Sequence, residues 1–214
     1  MKHFISSGLL CLFLLAAPAA FARKHHKAKA KFDYYLLSLS WAPTFCAGHP
    51  ADHSSECQVG GHAAFVLHGL WPQANSGQPP MSCTPPSPVS KSTVDHMLNF
   101  MPARSLIQHE WEKHGTCSGL SPQDYFAKVE QAFKAVKVPD QYPNLVHQQT
   151  FNVPDVEKSF ADFNQAPENA FRISCHAGGL VGLEVCLSKD LKYQACTTNV
   201  QECPVNKVSL PPPK

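Results

Sequence analysis

The stretch that organises this chain is His109-Glu110-Trp111-Glu112-Lys113-His114-Gly115-Thr116-Cys117. On a helix that turns by roughly 100° per residue, His109, Glu110, Lys113 and His114 fall on one face. Gly115 is expected to end the helix, and Cys117 can tether that end. The sequence therefore predicts a helix that presents two imidazoles, a carboxylate and an ammonium group on one arc.

This helix face suits chemistry at a phosphoryl centre better than metal binding. An imidazole transfers protons near neutral pH, and a lysine and a second histidine can hold an anion. The zinc pattern H-E-x-x-H places its histidines four residues apart. Here they are five apart, and Lys113 stands where the second ligand would be. We therefore expect no metal and no cofactor. A merely solvated polar face is the alternative, and four functional groups on one arc argue against it.

A second candidate stretch is Phe65-Val66-Leu67-His68-Gly69-Leu70-Trp71-Pro72-Gln73. The apolar run from Ala63 to Leu67 predicts a buried strand. His68 follows at its end, where Gly69 and Pro72 are expected to break the strand. A histidine at a strand end beside an indole can face a cleft. Taken alone, however, His68 would more simply be a core histidine bonded to a neighbour.

Together the two stretches resemble the ribonuclease T2 family, whose active-site signatures read H-G-L-W-P on a strand and H-E-x-x-K-H-G-x-C on a helix. Both signatures occur here without a gap and in the expected order. The likeness continues at Leu39–Cys46 and Leu183–Leu187, so it covers most of the chain from Phe32 to Leu210. It implies an antiparallel β-sheet with packed helices, in a single domain over residues 32–214.

The resemblance also implies an activity and a role for six residues. The activity is endonucleolytic cleavage of single-stranded RNA by metal-independent transesterification, through 2′,3′-cyclic phosphates to 3′-phosphate ends. The matched residues are His114 (general base), His68 (general acid), Glu110 and Lys113 (support of the pentacovalent phosphorane), His109 (phosphate binding) and Trp71 (stacking on a base). From position alone, Trp71 could equally be a core indole.

The N-terminus and the cysteines indicate an exported protein. Residues 1–22 have the pattern of a signal peptide, with Lys2, an apolar run from Leu9 to Ala17 and the small-x-small site Ala20–Ala22. The apolar run is too short to span a membrane. Of the 9 cysteines, Cys11 leaves with the signal, so 8 remain, and an even number in an exported chain predicts four disulfides. The family resemblance implies the pairs Cys46–Cys57, Cys83–Cys117, Cys175–Cys203 and Cys186–Cys196.

The charge pattern limits how the chain can hold RNA. Residues 23–31 carry five basic side chains and are expected to form a flexible, solvated leader. From Phe32 onward the chain has 12 basic and 16 acidic residues, a net charge of −4. A protein that binds nucleic acid by general electrostatics shows the opposite balance. RNA must therefore be held at a local site, by a chain that we expect to be a monomer in the periplasm or outside the cell, away from the membrane.

Strands that flank a helical middle, without regular alternation, predict the α+β class. Three rival functions remain open on the sequence alone. The first is a non-catalytic exported relative of the same fold that acts in binding or signalling. The second is a zinc hydrolase, which the five-residue spacing and Lys113 disfavour. The third is a disulfide-rich inhibitor or structural domain, which has no need to place two histidines, a glutamate and a lysine together.

Overall fold

A computed structural model of the protein describes residues 31–214, and in it a single six-stranded sheet packs against helices. The α+β prediction is thereby confirmed. The strands are β1 (Tyr34–Trp41), β2 (Phe65–Gln73), β3 (Gln149–Asn152), β4 (Phe171–His176), β5 (Gly179–Leu187) and β6 (Lys207–Leu210). The helices are α1 (Ala42–Gly48), α2 (Lys91–Met97), α3 (Arg104–Lys113), α4 (Pro122–Ala135) and α5 (Val153–Asn164). The signal peptide predicted over residues 1–22, and all but Lys31 of the predicted leader, lie outside the described residues.

The sheet has the strand order β2-β1-β5-β6-β3, and β4 forms an additional pair with β5 outside this linear order. All strand pairs are antiparallel except a single parallel pairing of β5 with β6. Along β1, the alternate residues Tyr35, Leu37, Leu39 and Trp41 all enter the main core. Their neighbours Ser38 and Ser40 consequently project from the opposite face of the sheet.

Strand β2 does not end at His68, as expected from the sequence, but continues to Gln73. Pro72 is tolerated because β2 is an edge strand, where a missing backbone donor breaks no ladder between strands. Leu39 pairs with Leu67 and Ser38 pairs with Gly69, so His68 is an extra residue with no partner on β1. It therefore forms a β-bulge, a device that redirects a side chain at the edge of a sheet.

Helix α3 begins at Arg104 and ends at Lys113, with His114 as its C-terminal cap residue. The helix thus ends just before Gly115, as the sequence predicts, but the backbone of Gly115 does not adopt the left-handed conformation of a glycine cap. Gly115 instead opens a short 3₁₀ turn that ends at Cys117. A Cβ at Gly115 would lie 2.3 Å from the ring of Trp111. The glycine is thus required by close packing.

The structure contains the four disulfides Cys46–Cys57, Cys83–Cys117, Cys175–Cys203 and Cys186–Cys196. The second of these joins the long loop after β2 to the turn that follows α3. The same loop is held by two further bonds, from the Ser82 amide to the Lys113 carbonyl (2.8 Å) and from the Cys83 amide to Thr116 Oγ1 (3.2 Å). The end of α3 is therefore fixed covalently and by hydrogen bonds.

Pro43 lies in the first turn of α1, a position that suits its fixed φ. Strands β3 and β6 pair with each other. Each has four residues, too few for their sequences to show a period. Within residues 31–214, no helix is both long and apolar enough to cross a membrane.

Candidate active site

The candidate site lies where the C-terminal half of α3 meets the bulged segment of β2. Glu110 projects from α3 directly onto the backbone of Gly69. A Cβ at Gly69 would lie 1.9 Å from Glu110 Oε2 and 2.6 Å from Trp71 Nε1. Only glycine therefore permits this approach. The sequence indicates Gly69 as a strand breaker, and it offers no local signal for this contact between two distant segments.

Glu110 is almost completely buried, with 1% of its side chain exposed. Its Oε2 accepts a hydrogen bond from Trp71 Nε1 at 2.7 Å, whereas its Oε1 has no hydrogen-bond partner. Burial raises the pKa of Glu110 to about 8, against the opposing effect of the Trp71 hydrogen bond. Glu110 is therefore protonated at neutral pH. Because Oε2 accepts the indole N–H, the proton belongs on Oε1, which lies 3.5 Å from His68 Nε2.

His68 is half-buried, and both of its ring nitrogens have polar neighbours. Its Nδ1 lies 3.0 Å from Ser40 Oγ, and its Nε2 faces Glu110. Burial, and then the nearby His109, lower the pKa of His68. The distance between His68 and Glu110 would allow an ion pair. Burial, however, lowers the pKa of His68 and raises the pKa of Glu110, and both shifts favour the neutral form. We conclude that the pair is neutral while no substrate is bound.

His114 stacks on the indole of Trp71, with ring centroids 5.0 Å apart and an interplanar angle of 24°. Its backbone N–H donates to the carbonyl of Glu110 at 3.0 Å. Burial lowers the pKa of His114 to about 4, helped by the charges of His109, His68 and Lys113. The ring is thus neutral above that pH and can accept a proton.

Trp71 connects the two imidazoles. The His68 ring meets it edge-on, at 5.8 Å and 84°, while His114 stacks on it. The two histidine rings therefore cannot lie further apart than these two distances together. His109, on the exposed side of α3, and the half-buried Lys113 complete the group. The structure thus brings together all six residues that the sequence indicates.

Two cavities flank this group. The larger, of about 970 Å³, is lined by Ser40, His68 and His109 among others. The smaller, of about 350 Å³, is lined by Gln73 and His114 among others. Trp71, Ser174 and Glu184 line both cavities. Each histidine of the predicted pair therefore opens onto a space of its own, on either side of Trp71.

Two further residues of this site, Ser40 and Glu184, are not indicated by any sequence pattern. Ser40 contacts His68, and Glu184 on β5 lies between the two cavities, where burial raises its pKa to about 7. Both residues alternate with apolar neighbours on their strands, which shows that they face away from the core but not what they face. Among residues 31–214, no three His, Cys, Asp or Glu side chains form a cluster that could hold a metal ion.

Comparison with known proteins identifies relatives of this chain. The model of the Ribonuclease T2 family matches residues 32–196. A probable ribonuclease of Haemophilus influenzae is 42% identical over 53% of this chain and 47% of its own length. A ribonuclease of Aeromonas hydrophila is 43% identical over 55% of this chain and 53% of its own. The matches thus span about half the length of these two relatives.

The fold has a close counterpart among solved structures. An RNase-related protein from Calystegia sepium superposes with a TM-score of 0.65 at 20% identity. The match covers 86% of this chain and 99% of that protein. This likeness concerns the fold alone.

Proposed function

The chain belongs to the ribonuclease T2 family, and from this premise we propose that it is an exported endoribonuclease. It cleaves single-stranded RNA by metal-independent transesterification, through 2′,3′-cyclic phosphates to 3′-phosphate ends. The observation that carries the proposal is the convergence of His68 and His114, from separate elements, on the ring of Trp71. Cleavage next to a ribose 2′-hydroxyl needs two such proton-transfer groups, one on each side of phosphorus.

In the proposed first step, His114 accepts the proton of the 2′-hydroxyl. The low pKa of His114, about 4, keeps this ring neutral and able to accept a proton. The 2′-oxygen then attacks phosphorus, and the bond to the 5′-oxygen breaks. His68, which becomes an imidazolium beside the negative phosphate of the bound substrate, gives its Nε2 proton to that oxygen and returns to its neutral form. Water opens the cyclic phosphate in a second step, in which the two histidines exchange roles. The substrate supplies the nucleophile, so no protein nucleophile is required.

The charge that builds up on the phosphoryl oxygens needs donors already in place. Glu110 suits this role because its protonated Oε1 has no other partner and lies 3.5 Å from His68 Nε2. Lys113 adds positive charge on the same helix, and it holds the phosphate together with the ring of His109. Trp71, which borders both cavities, offers an aromatic surface on which a base can stack.

The four disulfides support export, because such bonds persist in oxidising compartments and not in the cytosol. We propose that the mature protein is a monomer in the periplasm or outside the cell and that its partner is RNA.

The proposal is tested by digestion of defined RNA oligonucleotides in excess EDTA, with the products identified by mass. The wild-type protein should yield 2′,3′-cyclic phosphates that convert slowly to 3′-phosphates. Replacement of His68 or His114 by alanine should lower the rate by roughly 10³-fold, while His96→Ala, an exposed histidine on α2, should not. Loss of activity in EDTA would favour metal hydrolysis, and an inactive wild-type protein would favour the non-catalytic binding protein.

A further inference from the structure

Among the described residues, Ser40 is the one whose side chain forms a hydrogen bond with Nδ1 of His68. Its Oγ lies 3.0 Å from His68 Nδ1, and within residues 31–214 it makes no other side-chain hydrogen bond. Ser40 is opposite Val66 on one neighbouring strand and opposite Gly182 on the other. Neither neighbour carries a polar side chain, so nothing beside it competes for the hydroxyl.

Because His68 lies in the bulge, its side chain needs contacts that hold its direction. In a regular strand the backbone pairing with the neighbouring strand fixes the direction of each side chain, but His68 has no partner on β1. Its ring is held instead by the edge of Trp71, by Glu110 and by Ser40. Of these contacts, only Ser40 binds Nδ1. Removal of the hydroxyl would leave the ring free to rotate and to place its proton on either nitrogen.

A hydroxyl suits both protonation states of an imidazole. A serine carries one donor and two acceptor positions. When His68 is neutral, its ring proton lies on Nδ1, which donates to Ser40 Oγ, and Nε2 is free to accept a proton. When His68 is an imidazolium, Nδ1–H still donates to Oγ. The heavy atoms need not move between the two states. The proton that is gained and lost is therefore the one on Nε2, as a group that protonates a leaving group and later accepts a proton from water requires.

We propose that Ser40 is a positioning residue for the reaction, which accepts a hydrogen bond from His68 Nδ1–H in both protonation states of the ring and so leaves Nε2 as the atom that gains and loses the proton. This inference rests on the proposed function, in which His68 Nε2 protonates the 5′-oxygen. A carboxylate in place of Ser40 would be a poorer choice, because its negative charge would stabilise the imidazolium and hold the proton back.

The other ionisable groups around His68 remain unchanged in a Ser40 variant. Glu110 and His109 face the ring from α3, His114 lies at the end of that helix, and Glu184 lines the same cavity from β5. A change in the titration of His68 in a Ser40 variant can therefore be ascribed to position 40.

The test compares Ser40→Ala, Ser40→Thr and Ser40→Asp with the wild-type protein. Ser40→Ala should lower kcat on an RNA dinucleotide by about tenfold, with KM little changed, since one orienting hydrogen bond is lost. Ser40→Thr retains the hydroxyl and should restore kcat to within about twofold of wild type. Ser40→Asp should move the alkaline limb of the pH–rate profile to higher pH. Ser209→Ala, on β6 and away from both cavities, is the matched control and should behave as wild type.

A second readout does not depend on activity. The ¹⁵N chemical shifts of the neutral His68 ring should show a single Nδ1–H tautomer in wild type and Ser40→Thr, and a mixture in Ser40→Ala. An unchanged tautomer and unchanged kcat in Ser40→Ala would overturn the inference, as would a Ser40→Thr variant as slow as Ser40→Ala. Full activity of His68→Ala would instead contradict the proposed function, so the two failures are distinguishable.

Discussion

Glu110 shows how burial sets chemistry at the scale of one residue. Its carboxyl is buried against Gly69 and bonded to Trp71 through one oxygen only. The same burial that makes it a neutral donor at pH 7 places a cost on its ionised form. The protonated carboxyl of Glu110, which is the form that can donate, is therefore lost as the pH rises.

Replacement of Glu110 by glutamine tests this protonation state. The folded-state pKa of about 8 exceeds the unfolded value, so the stabilising effect of protonation is complete below the unfolded pKa and is lost as the pH rises through 8. Glutamine does not titrate. Glu110→Gln should therefore gain stability relative to wild type as the pH rises, by on the order of 3 kcal/mol between pH 4 and pH 8. Urea unfolding at each pH measures this difference.

Glu112→Gln, an exposed neighbour on the same helix, is the control and should leave the pH dependence of unfolding as it is in wild type. Parallel stability curves for Glu110→Gln and wild type would show that the Glu110 carboxyl is already ionised at neutral pH. RNA cleavage by Glu110→Gln should also decrease, because an amide is a weaker donor to a phosphoryl oxygen than a carboxylic acid.

At the scale of elements, the site depends on two departures from regular structure in β2. The bulge turns His68 toward the end of α3, and Gly69 lets the Glu110 carboxyl lie on the strand. The disulfide Cys83–Cys117 and the bonds of its loop then fix the end of α3 against this strand.

Gly69→Ala should damage this arrangement. The added methyl group would overlap Glu110 Oε2 and the Trp71 indole, so both side chains must move. We expect a loss of about 2 kcal/mol of stability, as for overpacked cores, and a decrease in kcat of about 100-fold as the donors leave their positions. Thermal unfolding and oligonucleotide cleavage measure the two effects. Gly179→Ala, whose Cβ would meet its nearest atom at 3.5 Å, is the control. Wild-type activity in Gly69→Ala would contradict the contact.

The sequence predicts these elements unequally. The helix face of His109, Glu110, Lys113 and His114 follows from helical spacing, which is local. The bulge at His68 depends on the register between β1 and β2, and the Ser40 contact depends on the bulge. No local pattern encodes a register across two strands. The raised pKa of Glu110 likewise arises from burial under a segment about 40 residues away in sequence.

At the scale of the whole molecule, the described body is mildly acidic. Residues 32–214 carry a net charge of −4, and the buried Glu110 and the half-buried Glu184 border the site. We therefore expect RNA to be held by a few local cations and by stacking on aromatic rings. A chain with this net charge does not provide the broad basic surface on which general nucleic-acid binding depends.

The salt dependence of cleavage reports how many phosphates are neutralised. With Lys113 as the main cation, log(kcat/KM) should decrease with log[salt] with a slope of about −0.7 on single-stranded RNA. A variant that lacks residues 23–31 should show the same slope, because we expect that leader to be solvated. A slope steeper than about −4 in both proteins would reveal an extended phosphate-binding surface.

A change of leaving group tests the division of labour between His68 and His114. The kcat/KM values of wild type, His68→Ala and His114→Ala are measured on an RNA dinucleotide and on a ribonucleoside 3′-(4-nitrophenyl phosphate), whose phenolate departs without a proton. His114→Ala should lose roughly 10³-fold on both substrates, whereas His68→Ala should lose that much only on the dinucleotide and stay within about tenfold of wild type on the aryl ester. Equal losses on both substrates in His68→Ala, or near wild-type cleavage of the dinucleotide by either variant, would contradict the assignment.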